Sequence, residues 1–200
     1  VSFVKKLIKI ILKYPLKLIN YIYTYFYYKN NSIGKSYNAQ DMLIENGKVL
    51  VLSPHVDDET IGLGATLFKH KKMDSEMSLV YMTDGGGSTT DTSREELIAI
   101  RKAEGEKVKE TYGFKSLYFL DEIDGELDFN KEDLIDKIIN ILEIEKPNII
   151  YTPFLIDGHR DHVATTKALI SALKTWNKNF ENIYMYEINS PIKPELINGF

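Results

Sequence analysis

The chain has 200 residues, 44% apolar and 27% charged, which suits one globular domain with a sizeable core. It contains no cysteine, so disulfides and Cys-rich structural zinc sites are excluded, and any zinc site must use histidine and carboxylate ligands. The net charge is −4. The first forty residues contribute seven lysines and no acid, which leaves −11 on the rest, and such an acidic body lacks the basic footprint of a nucleic-acid-binding surface.

Residues 1–28 read as a basic, aromatic helical arm. Lys5, Lys9, Lys13 and Lys17 recur every four residues and drift slowly around one face. Leu7, Ile8, Ile10, Ile11, Leu18 and Ile19 fill much of the remainder, and six tyrosines lie between Tyr14 and Tyr28. Pro15 is expected to kink or split the helix. Lysines beside interfacial aromatics suit a helix lying on an anionic membrane surface. The plainer reading is an amphipathic helix packed on its own domain or on a partner chain. The lysines interrupt the apolar run too often for a spanning helix, which wants ~20 apolar residues. No small-residue cleavage site follows, so the arm does not read as a cleaved signal peptide. A cytoplasmic location, peripheral on the membrane, is the expectation. Residues 29–47 are polar and read as a linker.

From Lys48 onward, strand and helix alternate. Lys48–Ser53 is a short β-branched apolar run, as in a buried strand. A helix is expected over Thr60–Lys72, with Gly62 and Gly64 allowing close backbone approach. Met77–Thr83 reads as a second strand, followed by the loop Asp84-Gly85-Gly86-Gly87-Ser88. Ser93-Arg94-Glu95-Glu96 is a capping box that opens a helix to about Tyr112. Ser116–Leu120 is a third strand. Asn130 is expected to cap a helix reaching Glu145, with Ile135, Ile138, Ile139 and Leu142 on one face and Pro147 beyond its end. Asn148–Thr152, Asp161–Thr175 and Asn182–Glu187 complete the series as strand, helix and strand. Such alternation predicts an α/β fold: a Rossmann-like, doubly wound parallel sheet with helices on both faces, preceded by the N-terminal amphipathic helix. The expected division is an arm at 1–28, a linker at 29–47 and the α/β domain at 48–200.

Ligands of such sheets bind outside the carboxyl ends of the strands. His55, Asp57 and Asp58 follow the first strand. Asp84 and its glycines follow the second, Asp121 the third, and Asp157 to His162 the fourth. The segments Ser53-Pro54-His55-Val56-Asp57-Asp58-Glu59 and Asp157-Gly158-His159-Arg160-Asp161-His162 hold three of the four histidines and five acids. His55 and Asp58, with His162 or His159, make an N,N,O ligand set for a metal such as zinc. Three ligands with an open position and a spare carboxylate are an arrangement that activates water. Acids on a helix N-terminus explain part of this pattern, but not the histidines. The triple-glycine loop lacks a following Lys-Ser/Thr and is not a nucleotide P-loop. Arg101 and Glu104 read most simply as an i, i+3 surface ion pair.

The segments Pro54-His55-Val56-Asp57-Asp58-Glu59 and His159-Arg160-Asp161-His162 resemble the hallmarks of the PIG-L/LmbE-like zinc-dependent N-deacetylases, which carry Pro-His-Pro-Asp-Asp-Glu and His-x-Asp-His motifs. The resemblance covers roughly Lys48 to Asn189, and the Arg101-to-Glu104 spacing also fits it. Val56 stands where the family usually has a second proline. The first forty residues are additional. The chain stops at Phe200, so the resemblance leads one to expect a fragment that lacks residues walling the pocket.

The resemblance implies that His55, Asp58 and His162 bind Zn2+ or another divalent metal, and that Asp57 is the general base. It implies that His159, supported by Asp161, stabilises the oxyanion or protonates the leaving amine. Arg101 would hold substrate hydroxyls. The implied substrate is an N-acetylglucosamine-type sugar: a glycoside, a glycolipid or a polysaccharide intermediate. Two rival readings are another metal-dependent hydrolase, such as a phosphoesterase, and a non-catalytic sugar- or nucleotide-binding domain.

Overall fold

The computed structural model describes residues 2–30, 46–178, 180 and 182–188, with side chains of the first helix described over 12–26. Two units are distinguished, residues 1–41 with 192–200, and residues 42–191. In the first, α1 runs from Ser2 to Asn30. Pro15 does not split it. The missing proline N–H removes one backbone bond, and long runs of helix on either side retain theirs. No helix among the described residues is long and apolar enough to cross a membrane. Most of the expected linker, residues 31–45, lies outside the described residues.

The second unit alternates strand and helix as the periodicity predicts. In chain order come β1 (Lys48–Ser53), α2 (Asp58–Lys72), β2 (Glu76–Thr83), α3 (Arg94–Tyr112) and β3 (Ser116–Glu122). Then follow α4 (Glu132–Glu145), β4 (Ile149–Pro153), α5 (Arg160–Trp176) and β5 (Asn182–Tyr186). The five strands form one parallel sheet in the order β3-β2-β1-β4-β5. Side chains alternate across it with the strand period of two. Leu50 and Leu52 face a core built with Leu134, Ile138 and Leu169 of α4 and α5. Val49 and Val51 face the opposite core, with Leu63, Leu67 and Tyr112 of α2 and α3. Burial of each such leucine contributes about 1.5–3 kcal/mol.

Local signals set the helix ends. Ser93 Oγ accepts the Glu96 N–H at 3.2 Å, and Gly113 closes α3 at φ 78°. The expected Asn130 cap is not made. Lys131 occupies the cap position of α4 without a side-chain bond, because Asn130 belongs to the preceding turn and donates its N–H to Asp128 Oδ1. The third strand also runs two residues past its expected end at Leu120. After β3 the chain returns through α4 to β4, on the other side of β1. This reversal between β1 and β4 opens a crevice at the carboxyl edge, where ligands of parallel sheets bind.

Candidate active site

The crevice is built from two helix starts on neighbouring strands. β1 ends at Ser53 and delivers His55, with Asp57 at the cap of α2 and Asp58 and Glu59 in its first turn. Acids there face the positive end of the helix dipole. β4 delivers Asp157, and His159 caps α5, with Asp161 and His162 in its first turn. A cavity of about 390 Å3 is lined by His55, Asp57, Asp58, Arg101, His159 and His162, among others, with Ile61 and Ile188 on its apolar side.

Asp58 sits between two imidazoles. Its Oδ2 lies 3.0 Å from His55 Nδ1 and 3.3 Å from His162 Nε2, and it accepts the His55 backbone N–H at 3.1 Å. His162 Nδ1 lies 3.1 Å from Asp157 Oδ2, which leaves Nε2 turned to Asp58. The His159 ring centroid is 4.8 Å from those of both His55 and His162. His159 Nδ1 accepts the Asp161 N–H at 3.3 Å, so in the neutral ring Nε2 carries the proton.

Asp161 does not hold the His159 ring through its carboxylate, as the family resemblance implies. Its Oδ2 is 3.3 Å from His55 Nε2 and accepts the Gly125 N–H at 2.6 Å, while Oδ1 accepts the Leu127 N–H at 3.3 Å. The carboxylate is fully buried, and these donors satisfy it on the far side of His55.

Asp124 is a further residue of the site. Its Oδ1 is 3.1 Å from His55 Nε2, and its Oδ2 accepts the Gly87 N–H at 3.0 Å. A Cβ on Gly87 would fall 2.8 Å from the Asp124 carboxyl carbon, so the close approach requires glycine. The sequence reading points to Asp121 because it ends the strand early. Asp121 instead pairs with Lys102 outside the cavity. The triple-glycine loop folds over the Asp84 carboxylate, which accepts the Gly86 N–H at 2.9 Å and pairs with Arg94. Arg101 pairs with Glu104 at 2.8 Å and lines the cavity.

Charge is unevenly distributed over these groups. Burial would lower the His55 pKa, but bonds to Asp124, Asp161 and Asp58 outweigh it and push the ring up to about 11. For His162 the same burial is outweighed by Asp58 and Asp157, which raise its pKa. Burial pushes His159 down, as does the charge of the other two rings. Burial would raise Asp58, yet its bonds to His162 and His55 hold it well below the usual carboxylate range. Asp57 has no such partner. Burial and the neighbouring Asp58 raise it, against a smaller opposing effect of Arg101.

The donor chemistry fits a divalent metal. The two imidazole-to-Asp58 spacings of 3.0 and 3.3 Å are close to the ~3.4 Å separating ligand atoms around a tetrahedral ion with bonds near 2.1 Å. Donor atoms of His55, His159 and His162 lie within 4.8 Å of one another, as do those of His55, Asp124 and Asp161. His159 is thus a neighbouring donor to the set of His55, Asp58 and His162, as the unaided spacing allows.

Parallel sheet, crevice and motif pair together define the class. Residues 50–173 match the family described as PIG-L, GlcNAc-PI de-N-acetylase, and the chain belongs to that family. Among curated relatives, the diacetylchitobiose deacetylase of Thermococcus kodakarensis is 38% identical over 122 residues, 58% of this chain and 45% of that protein. The probable N-acetyl-alpha-D-glucosaminyl L-malate deacetylase 2 of Bacillus anthracis is 27% identical over 161 residues, 72% of this chain and 70% of that protein. Among solved structures, the N,N'-diacetylchitobiose deacetylase from Pyrococcus horikoshii, complexed with its inhibitor MPG, aligns with a TM-score of 0.63 at 29% identity, covering 70% of this chain and 61% of that one. The chain spans under half the length of the Thermococcus protein.

Proposed function

We propose that this chain is a metal-dependent N-deacetylase that hydrolyses the acetamide of an N-acetylglucosamine-type sugar. The observation that carries the reading is the convergence of His55, Asp58 and His162 on one side of a cavity that Asp57, His159 and Arg101 also line. The family and the named activities of the relatives support it.

Zinc, held by His55, Asp58 and His162, would acidify water and polarise the acetamide carbonyl. Asp57 accepts the proton of the attacking water, and its raised pKa makes it a better proton acceptor than an ordinary aspartate. His159, neutral with its proton on Nε2, would donate a hydrogen bond to the developing oxyanion, and the proton that Asp57 takes from water would pass to the departing amine. Asp161, Asp124 and Asp157 orient His55 and His162 through their outer nitrogens, the role usual for carboxylates behind metal-binding histidines. Arg101 offers donors to sugar hydroxyls from the cavity wall, steadied by Glu104.

The test is acetate release from a panel of N-acetylglucosaminides with different aglycones, by metal-stripped protein and by protein reloaded with one equivalent of zinc. Activity restored by zinc supports the reading; metal-independent release refutes it. A phosphoesterase reading calls for a second metal. Asp124 and Asp161, the further donors at hand, are already engaged by His55 and by backbone N–H groups. A phosphate-ester panel run in parallel measures that alternative, and sugar binding without turnover would reveal a non-catalytic domain.

The first helix supports a finer placement. Lys13 and Lys17 are exposed, as are Tyr14, Leu18, Tyr21 and Ile22. Basic and aromatic side chains together suit a helix resting peripherally on an anionic bilayer, and we take residues 1–28 to do so.

A further inference from the structure

The side chain of Glu59 is fully buried beneath the site, yet the ion pairs of the described residues leave it without a basic partner. Its satisfaction comes from uncharged donors. Oε2 accepts the Asp57 backbone N–H at 3.3 Å and lies 3.2 Å from Ser53 Oγ, which shares its proton with the His55 carbonyl at 2.8 Å. Oε1 accepts the Thr60 hydroxyl at 2.7 Å. A buried carboxyl group is costly unless donors meet it, and here they are arranged around a single backbone position.

That position is the strained one in the site. Asp57 stands at φ 138° and ψ −27°, a conformation that a residue with a Cβ rarely adopts. Such conformations persist where the surroundings over-determine them. The Asp57 carbonyl is tied by the Ile61 N–H at 2.9 Å, the first bond of α2. Its N–H is tied by Glu59. The two bonds together fix the peptide planes on both sides of the Asp57 side chain, which lines the cavity, whereas Glu59 does not line it.

We infer that Glu59 is a positioning residue: through the Asp57 N–H it clamps the strained backbone that presents the Asp57 carboxylate to the cavity. The inference rests on the proposed role of Asp57 as base. What the clamp requires is an acceptor at the Oε2 position, so glutamine serves and methionine, similar in length but without an acceptor there, does not. A residue that merely fills space gives the opposite ranking.

The experiment compares the full chain with Glu59→Gln and Glu59→Met. Amide exchange of Asp57 is followed by NMR in metal-free protein, and kcat, KM and zinc content are measured on an N-acetylglucosaminide. Glu59→Met should speed Asp57 exchange at least tenfold and lower kcat by about 10²-fold, the scale of a misplaced reacting group, with KM and zinc content unchanged. Glu59→Gln should restore most of both. A Met variant with a protected Asp57 amide, a Gln variant as slow as the Met variant, or loss of zinc in either overturns the inference. Should Glu59→Met not fold, the parent chain still decides, since an Asp57 amide exchanging at the rate of an exposed one refutes the clamp. Amide exchange needs no turnover, so an inactive parent sinks the deacetylase reading without deciding this one.

Discussion

Asp161 Oδ2 lies 3.3 Å from Nε2 of His55, whereas His159 receives only the Asp161 backbone N–H. The acid in the His-x-Asp-His segment therefore reaches across the crevice to the first motif instead of serving its neighbour. Asp161→Asn should weaken zinc affinity by about 10- to 100-fold, as loss of a carboxylate behind a metal-binding histidine does. His159→Ala should keep zinc and lower kcat by about 10²-fold or more. Metal titration alongside steady-state kinetics separates the two, and intact zinc affinity in Asp161→Asn would return that residue to His159.

Asp57 and Asp58 are adjacent in sequence and opposite in environment. Burial raises the pKa of the first, and two histidines hold that of the second down. Asp57→Asn should retain zinc while deacetylation falls by about 10²-fold or more. Asp58→Asn and His162→Ala should lose zinc and activity together, because three ligands leave little redundancy. Equal zinc occupancy in all three variants would reverse the assignments.

Much of this site is legible in the chain because its parts sit at strand ends. His55 through Glu59 and Asp157 through His162 mark two carboxyl edges on sequence alone, and parallel topology brings such edges together. Asp124 is not legible in that way. It lies in an ordinary acidic loop, and its role appears only once β3 is seen to run to Glu122. The partner of Asp161 is hidden for a different reason: nearness in sequence favours His159, while the fold places His55 within reach. The α4 cap illustrates a limit of local rules, since the turn at Asp128 takes the Asn130 N–H and shifts the helix start.

Proton release should accompany metal uptake. In the metal-free chain the carboxylates hold His55 up to about 11, so that ring keeps its protons near neutrality, and they strengthen proton binding by His162. A metal must displace those protons, and its affinity should rise with pH, by about tenfold per pH unit for each proton displaced. Zinc affinity measured from pH 6 to 8 tests the sign; a flat or falling affinity refutes it.

The fourth histidine makes a stability prediction away from the site. His70 is fully buried and bonds Tyr151 Oη at 2.9 Å and Ser75 Oγ at 3.2 Å. Burial lowers its pKa. The unfolded chain takes up the proton near pH 6.5, before the folded chain does. Stability present at higher pH is therefore lost as pH falls below about 6.5 toward the folded pKa. His70→Gln should flatten that part of the acid slope and cost about 1 kcal/mol at pH 8 if the Tyr151 bond is lost. Urea unfolding of both proteins between pH 5 and 8 reads the difference, and identical slopes would assign the acid sensitivity elsewhere.

Removing residues 1–40 should leave the α/β unit folded, because its first strand starts at Lys48 and the proposed catalytic groups all lie beyond it. The full chain should sediment with anionic liposomes, less so as salt rises, and the shortened chain should not. Turnover of a small soluble sugar should hardly change. A shortened chain that aggregates would show that the arm packs on protein, and the membrane placement would fall.

The strand order gives the cavity an architectural meaning as a seam. β1, β2 and β3 lie to one side of the crevice and β4 and β5 to the other, joined across it by the β1–β4 ladder. His55 and Asp58 hang from one flank, His162 from the other, with a long stretch of chain between them. An ion held by all three would act as a rivet through the seam, fastening one flank of the sheet to the other. The proposed catalysis and the cohesion of the two flanks would then share one fastener.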